Sequence, residues 1–217
     1  MAKSGVPSNA AAKGSARSAH TRRQFVDAAI ETLKSDGYAG ASARSIAQRA
    51  GLNQGLIFYH FGSVANLLLA ALDAVSEERL DLYGAQVSGA TNPIQLVDAA
   101  EGFFRNDLDA GYITVLVEMI AGASSTPGLG PEVASRIQTW REFAQSTIEA
   151  SLGSSPLSSV LPPKDVAYAV VALYLGLEML SHLDGDAGPA LALFAHAKHL
   201  ASLVEALTAP TTPEEAT

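Results

Sequence analysis

The sequence predicts an all-α protein of about nine helices, and three observations lead there. Apolar residues recur at intervals of three and four over most of the chain, the spacing that gathers them on one helix face. Glycines and prolines cut the chain into pieces of helix length. No run alternates convincingly at the period of two that a half-buried strand requires. At 217 residues and 48% apolar content the chain can bury a substantial core in one or two domains. No internal repeat is visible.

Residues 1–20 are rich in Ala, Ser and Gly with scattered bases, and are expected to form a disordered basic tail. They lack the apolar core of a secretory signal. A first helix is expected from Thr21. Phe25, Ala29 and Leu33 repeat at four, and Gly37 stands where a left-handed residue would end it. Ser42 is a candidate N-cap for a second, short helix to Ala50, with Ala43, Ile46, Ala47 and Ala50 inward; Gly51 ends it. Leu52, Leu56 and Ile57 mark a third short helix over about Asn53–His60. A fourth begins at Ser63. Phe25, Phe58 and Phe61 are expected in the core of this region. Gly84–Pro93 reads as a loop, Pro93–Leu108 and Ile113–Ala123 as helices, and Ser124–Pro131 as a Gly/Pro loop. Glu132–Leu152, Asp165–Leu183 and Pro189–Leu207 complete the set. Residues 210–217 are expected to be a disordered tail. The longest nearly unbroken apolar stretch, Val166 to Leu177, is shorter than the ~20 residues of a bilayer span and reads as a buried helix. No membrane partner is expected.

Net charge is −8, which taken alone discourages nucleic acid. Its distribution reverses that reading. Residues 1–63 hold eight bases and three acids, a balance of +5, and the remainder holds six bases and nineteen acids, a balance of −13. No acid lies between Asp36 and Asp73, so nothing there repels phosphate. Cysteine is absent, which excludes disulfides, thiolate zinc sites and cysteine nucleophiles and fits a reducing cytoplasm.

Ser42–Ser63 is the informative stretch: a short helix, Gly51, and a second short helix. Two such helices joined by a tight glycine turn form a helix-turn-helix, whose second helix enters the DNA major groove. Its exposed side should carry short polar groups, and here it offers Asn53, Gln54, Tyr59 and His60, with Gly55 permitting close approach.

These residues resemble the DNA-binding domain of the TetR family of bacterial transcriptional regulators. The matching pieces are Gly37-Tyr38, Ser42 to Ala47, Ala50-Gly51-Leu52, Gly55, Phe58 to Phe61, Ser63 and Leu67-Leu68, in the family's order and spacing. The resemblance implies a DNA-binding domain over 21–66 and a helical effector-binding and dimerisation domain over 67–209. It implies a homodimer through the last two long helices, a double-stranded DNA operator, and an unidentified small-molecule effector. The expected function is a ligand-responsive regulator, a repressor by family precedent, in the cytoplasm. It also implies roles residue by residue. Ser42 would lie near phosphate, and Arg44 would contact phosphate or base. Gln54, Gly55 and Leu56 would open the recognition helix. Tyr59 and His60 would lie near its end, followed by Ser63. Val64 departs from the lysine usual there, removing one expected phosphate contact. Backbone N–H groups at that helix start could still hold a phosphate. Lys13, Arg17, Arg22 and Arg23 could compensate.

The acidic body carries no Gly-x-Ser-x-Gly, phosphate-loop or His-Glu-x-x-His pattern, so no enzyme activity, cofactor or metal is expected. The alternatives are a small all-α enzyme or a helical interaction module, with the site in this body. His196 and His199, and His182 with Asp184 and Asp186, read as solvated or interface groups rather than metal ligands. The candidate pocket residues are Phe103, Phe104, Tyr112, Met119, Trp140, Phe143 and Tyr174, with Glu118 and Glu178 among apolar neighbours. A carboxylate so placed must find a partner, take up a proton, or meet a cationic or hydrogen-bonding ligand. For both glutamates the plainer reading, a paired or half-exposed side chain on a helix edge, is favoured. The last two long helices carry apolar residues on more than one face, including Ala167, Val170, Leu177, Leu191, Phe194 and Leu200, which calls for a second buried face.

Overall fold

In a computed structural model of the chain, residues 9–90, 92–152 and 161–208 are described. They form nine α-helices and no strand: α1 (Asn9–Gly40), α2 (Ala43–Ala50), α3 (Gly55–Phe61), α4 (Val64–Val87), α5 (Pro93–Ala110), α6 (Tyr112–Ala123), α7 (Leu129–Leu152), α8 (Pro163–Asp184) and α9 (Gly188–Thr208). The expected C-terminal tail, residues 1–8 and most of the expected loop before Pro163 lie outside the described residues.

Helix boundaries follow the local signals with three departures. Helix α1 starts at Asn9, not Thr21, so the expectation of disorder fails for residues 9–20. High alanine content favours the helical state there. Every side chain from 13 to 20 is exposed. Helix α4 runs through Gly84 to Val87, since one glycine costs about 1 kcal/mol and does not break a helix. Helix α7 begins three residues early, at Leu129, a buried residue.

The chain divides into two compact units. The first comprises Met1–Ser76 with Thr114–Val133, and the second Glu77–Ile113 with Ala134–Thr217. In the first unit Phe25, Ala29 and Leu33 of α1, Ile46 of α2, Ile57 of α3 and Leu67 of α4 are all fully buried. Phe25 meets Phe61 edge to face, with ring centres 6.4 Å apart. Phe58 corrects the sequence expectation: it is 52% exposed. Helix α3 is only seven residues long. Its inward positions are Ile57 and Phe61, one helical turn apart, and Phe58 is rotated about 100° from Ile57, off that face.

In the second unit Phe104 of α5 packs with Ala190 and Phe194 of α9, joined by Tyr174 and Leu177 of α8. Asn92 caps α5 through its side chain, Pro93 opens it, and Gly111 ends it in the left-handed region. Lys198 of α9 pairs with Asp98 at 2.5 Å and Glu101 at 2.8 Å on α5. The expectation that Val166–Leu177 forms a buried helix is also corrected. Within one protomer α8 is mostly exposed, with Tyr168, Leu173, Leu180 and Leu183 each more than half exposed. By length and composition alone α8 is long and apolar enough to cross a bilayer.

Candidate functional site

The second and third helices are built by their ends. Ser42 is extended and caps α2: its Oγ accepts from Ser45 N at 3.1 Å, while Ser42 N donates to Ser45 Oγ at 2.9 Å. This reciprocal box satisfies two N–H groups that a helix start leaves open. Gly51 closes α2 at φ 67°, ψ 28°, and its N–H donates back to Ala47 and Gln48 carbonyls. That left-handed geometry turns the chain within a few residues, and an L side chain there would be strained. Asn53 Oδ1 then accepts from Gly55 N at 2.7 Å, which starts α3.

Helix α3 is fixed by Ile57 and Phe61 on one side and presents its other side to solvent. Gln54 is exposed at its N-cap, Tyr59 is 80% exposed, and Leu56 and Asn53 are exposed. The His60 ring lies edge to face against Tyr59 at 4.9 Å. Arg44 on α2 is exposed and has no ion pair among the described residues. Two expected DNA-facing residues have structural work. Arg22 Nη1 donates to the His60 carbonyl at 3.0 Å, and its guanidinium lies 4.4 Å over the Phe61 ring. Ser63 Oγ accepts from Asn66 N at 3.1 Å, while Asn66 Nδ2 donates to the Phe61 carbonyl at 2.8 Å. Arg22 and Asn66 therefore hold the C-terminal end of α3, a role that neither residue's position in the pattern announces.

Glu118 behaves as the plainer reading expected, with an identified partner. Its carboxylate accepts from Tyr38 N at 2.7 Å, just past Gly37, where α1 breaks with φ 69°. Tyr38 donates or accepts a hydroxyl bond with Thr126 at 2.7 Å, and its ring lies against Gly122, where a Cβ would overlap it. Glu118 and buried Met119 belong to the first compact unit.

The other candidate pocket residues fall in the second unit, where two groups form. Phe103, Trp140 and Phe143 are joined through Tyr83, which stacks on Phe103 at 3.8 Å and lies 6.3 Å from Trp140. Phe104 and Tyr174 meet edge to face at 6.1 Å. What connects the two groups is a buried polar cluster that the sequence reading missed. Asp107 of α5 accepts from Arg79 and Tyr83 of α4 and, at 2.8 Å, from the Tyr174 hydroxyl of α8. The Arg79 guanidinium lies 4.6 Å over Trp140 and 5.6 Å over Tyr112. Arg79 and Tyr83 stand four apart on one helix and could have been paired with each other, but the partner Asp107 sits among solvated-looking charges. No local signal singles it out.

Glu178 is the anomaly in this cluster. It is fully buried, and neither carboxylate oxygen has a hydrogen-bond partner. The favoured expectation of a paired or half-exposed glutamate is corrected. Burial first, then the Asp107 carboxylate, pushes its pKa up to about 9, against the opposing pull of Arg79. Burial works against the charge of Arg79, but the paired Asp107 carboxylate outweighs it, so the guanidinium stays charged. The Tyr174 and Tyr83 hydroxyls are pushed up, chiefly by burial, and remain protonated donors. At neutral pH Glu178 is therefore a neutral acid.

This has a sign that can be measured. Folded Glu178 keeps its proton to about pH 9, whereas the unfolded side chain loses it near 4.5. Between those values the unfolded chain binds fewer protons, so this group makes stability fall as pH rises. Glu178→Gln is expected to flatten the decline by at most about 1.4 kcal/mol per pH unit. Denaturant melts of both proteins at pH 6 and pH 8 check this, and parallel pH dependences would contradict it.

The comparisons with known proteins agree with this geometry. Residues 25–71 match the model of bacterial regulatory proteins of the tetR family. An uncharacterized HTH-type transcriptional regulator of Mycobacterium bovis is 32% identical over 108 residues, 49% of this chain and 55% of that protein. The chain thus spans about half the length of the curated relatives it matches first. Among solved structures, a TetR-family regulator of Cytophaga hutchinsonii superposes with a TM-score of 0.71 at 17% identity, covering 86% of this chain and 95% of that one. The regulator FadR of Bacillus subtilis, solved with stearoyl-CoA, superposes at 0.70 and 14% identity over 82% of this chain and 96% of its own. Those two likenesses establish the shared fold. Over residues 25–71, the helix-turn-helix, the chain is thus similar to bacterial regulatory proteins of the tetR family.

Proposed function

We propose that the protein is a ligand-responsive transcriptional regulator that binds a pseudo-palindromic DNA operator as a homodimer in the cytoplasm and represses until an effector binds. The observation that carries this is the outer face of α3: Gln54, Tyr59 and neighbouring Arg44 are exposed on a rigidly capped helix-turn-helix, within a 36-residue stretch free of acids. Residues 21–66 supply the DNA-binding part, and 67–209 the effector and dimer functions. The exposed apolar residues of α8 and α9, among them Leu173, Leu180, Leu183, Leu193, Leu200 and Leu203, support a two-fold interface in which copies cover each other. Such a dimer presents two recognition helices to successive major grooves. That a protein of the same fold holds stearoyl-CoA supports an effector site in the helical body. The effector acts by its differential affinity for two dimer states.

Gel shifts with promoter fragments flanking the gene test this reading. Specific binding at low salt, lost on addition of an effector, is expected. No binding to any fragment at low salt would overturn it. Tyr59→Ala and Gln54→Ala should each weaken specific binding by about 1–3 kcal/mol, and Arg44→Ala should lower the salt slope by about one. All three should sediment as dimers. A stable monomer at micromolar concentration would remove the two-fold arrangement.

A further inference from the structure

The geometry points to the buried cluster of Arg79, Asp107, Tyr174 and Glu178 as the anchor of the effector site, and to the effector as a small organic cation with N–H donors that pairs with Glu178. This rests on the regulator reading above and names the chemistry of its ligand. The hydrogen bonds of the cluster do not close without one. Asp107 already accepts from three donors, Arg79, Tyr83 and Tyr174. Arg79 is the one base in the cluster and is committed to Asp107, with its outer face over Trp140. Glu178 is left with both oxygens buried and without a hydrogen-bond partner. Buried polar atoms without partners are rare in folded proteins and mark missing water, ions or ligands.

An ammonium or amidinium group repairs this in one step. It supplies donors to both orphan oxygens, and an amidinium can bond them in parallel. The group that titrates is Glu178, faced by Arg79 of α4, Asp107 of α5 and Tyr174 of its own helix. At neutral pH the cation displaces the carboxyl proton: neutral Glu178 and the cation become an ion pair, and one proton leaves to solvent. Arg79 Nε, also buried without a partner, needs an acceptor, which favours an amine that carries a hydroxyl or carbonyl oxygen. Because Glu178 and Asp107 are fully buried, binding must part the helices around them. A ligand that prefers the parted state has the differential affinity that a switch requires.

Calorimetric titration of the full chain with benzamidinium, neutral benzamide and benzoate tests the class. Benzamidinium should bind at least tenfold more tightly than benzamide, and benzoate should not bind. In wild type, titrations in two buffers of different ionisation enthalpy should show about one proton released per ligand. Affinity should rise close to tenfold per pH unit from 6 to 8. Glu178→Gln should abolish the preference for the cation while retaining the helical spectrum. Equal binding of cation and amide, tighter binding of benzoate, or undiminished cation binding by Glu178→Gln would each overturn the proposal. The wild-type proton count decides the matter even if the variant fails to fold. Gel shifts on the same samples separate the two readings. Cation binding without DNA binding sinks the regulator, and DNA binding without cation selectivity sinks only this inference.

Discussion

Asp107→Ala is expected to cost about 3–5 kcal/mol and to unfold much of the second compact unit, because it removes one partner of a buried ion pair. The damage exceeds the loss of one contact. Three donors from two helices converge on this carboxylate, and all three are orphaned together: Arg79 and Tyr83 of α4 and Tyr174 of α8. An uncompensated guanidinium then remains over Trp140 in a dry interior. Glu178 is close enough to influence Arg79 electrostatically, and it should ionise in the variant and recover part of the loss. Asp107→Asn is the informative control. It keeps the shape and one acceptor oxygen, and it should be less destabilising than alanine. Denaturant melts followed by far-ultraviolet circular dichroism measure both. A loss below about 1 kcal/mol for Asp107→Ala would show that the cluster does not hold the unit together.

Phe25→Ala is expected to cost a similar amount, about 3–5 kcal/mol, in the first unit, and to abolish operator binding without touching a residue that faces DNA. Phe25 is fully buried and meets Phe61, the last residue of α3, edge to face. Seven residues cannot hold a helix in water by themselves, so α3 depends on this packing for its existence and its angle. Arg22 supports the same end from outside, over Phe61 and on the His60 carbonyl. Removing the Phe25 ring leaves a cavity under α3 that these surface contacts cannot close. Phe25→Leu, which keeps much of the volume, should retain most of the affinity. Operator affinity within twofold of wild type for Phe25→Ala would refute the argument.

The helix-turn-helix was legible because its signals are local. Ser42 and Ser45 face each other within one turn, Gly51 supplies the left-handed residue, and the apolar spacing of Ile46, Ala47, Ile57 and Phe61 orients two short helices. Charge segregation along the chain was equally legible, since it needs only counting. Phe58 was misjudged because a short helix has room for one inward stripe, and periodicity alone does not say which of two adjacent aromatics occupies it. Arg22 was read as a DNA contact, and its bonds to α3 come from a residue 38 positions away.

The sequence by itself determined the helices, their caps, the glycine turn and the acid-free stretch between Asp36 and Asp73, because backbone hydrogen bonding and side-chain periodicity act over a few residues. Only the tertiary structure decided what the charged residues of the body do. Glu118 became a cap for the end of α1 from 80 positions away, while Glu178 was left buried without a partner. Arg79, Asp107 and Tyr174 converged from three helices. A charge on a helix is ordinarily solvated, and whether it is instead buried, paired or orphaned depends on which helix packs over it. That information resides in contacts between distant segments, and no local window of sequence contains it.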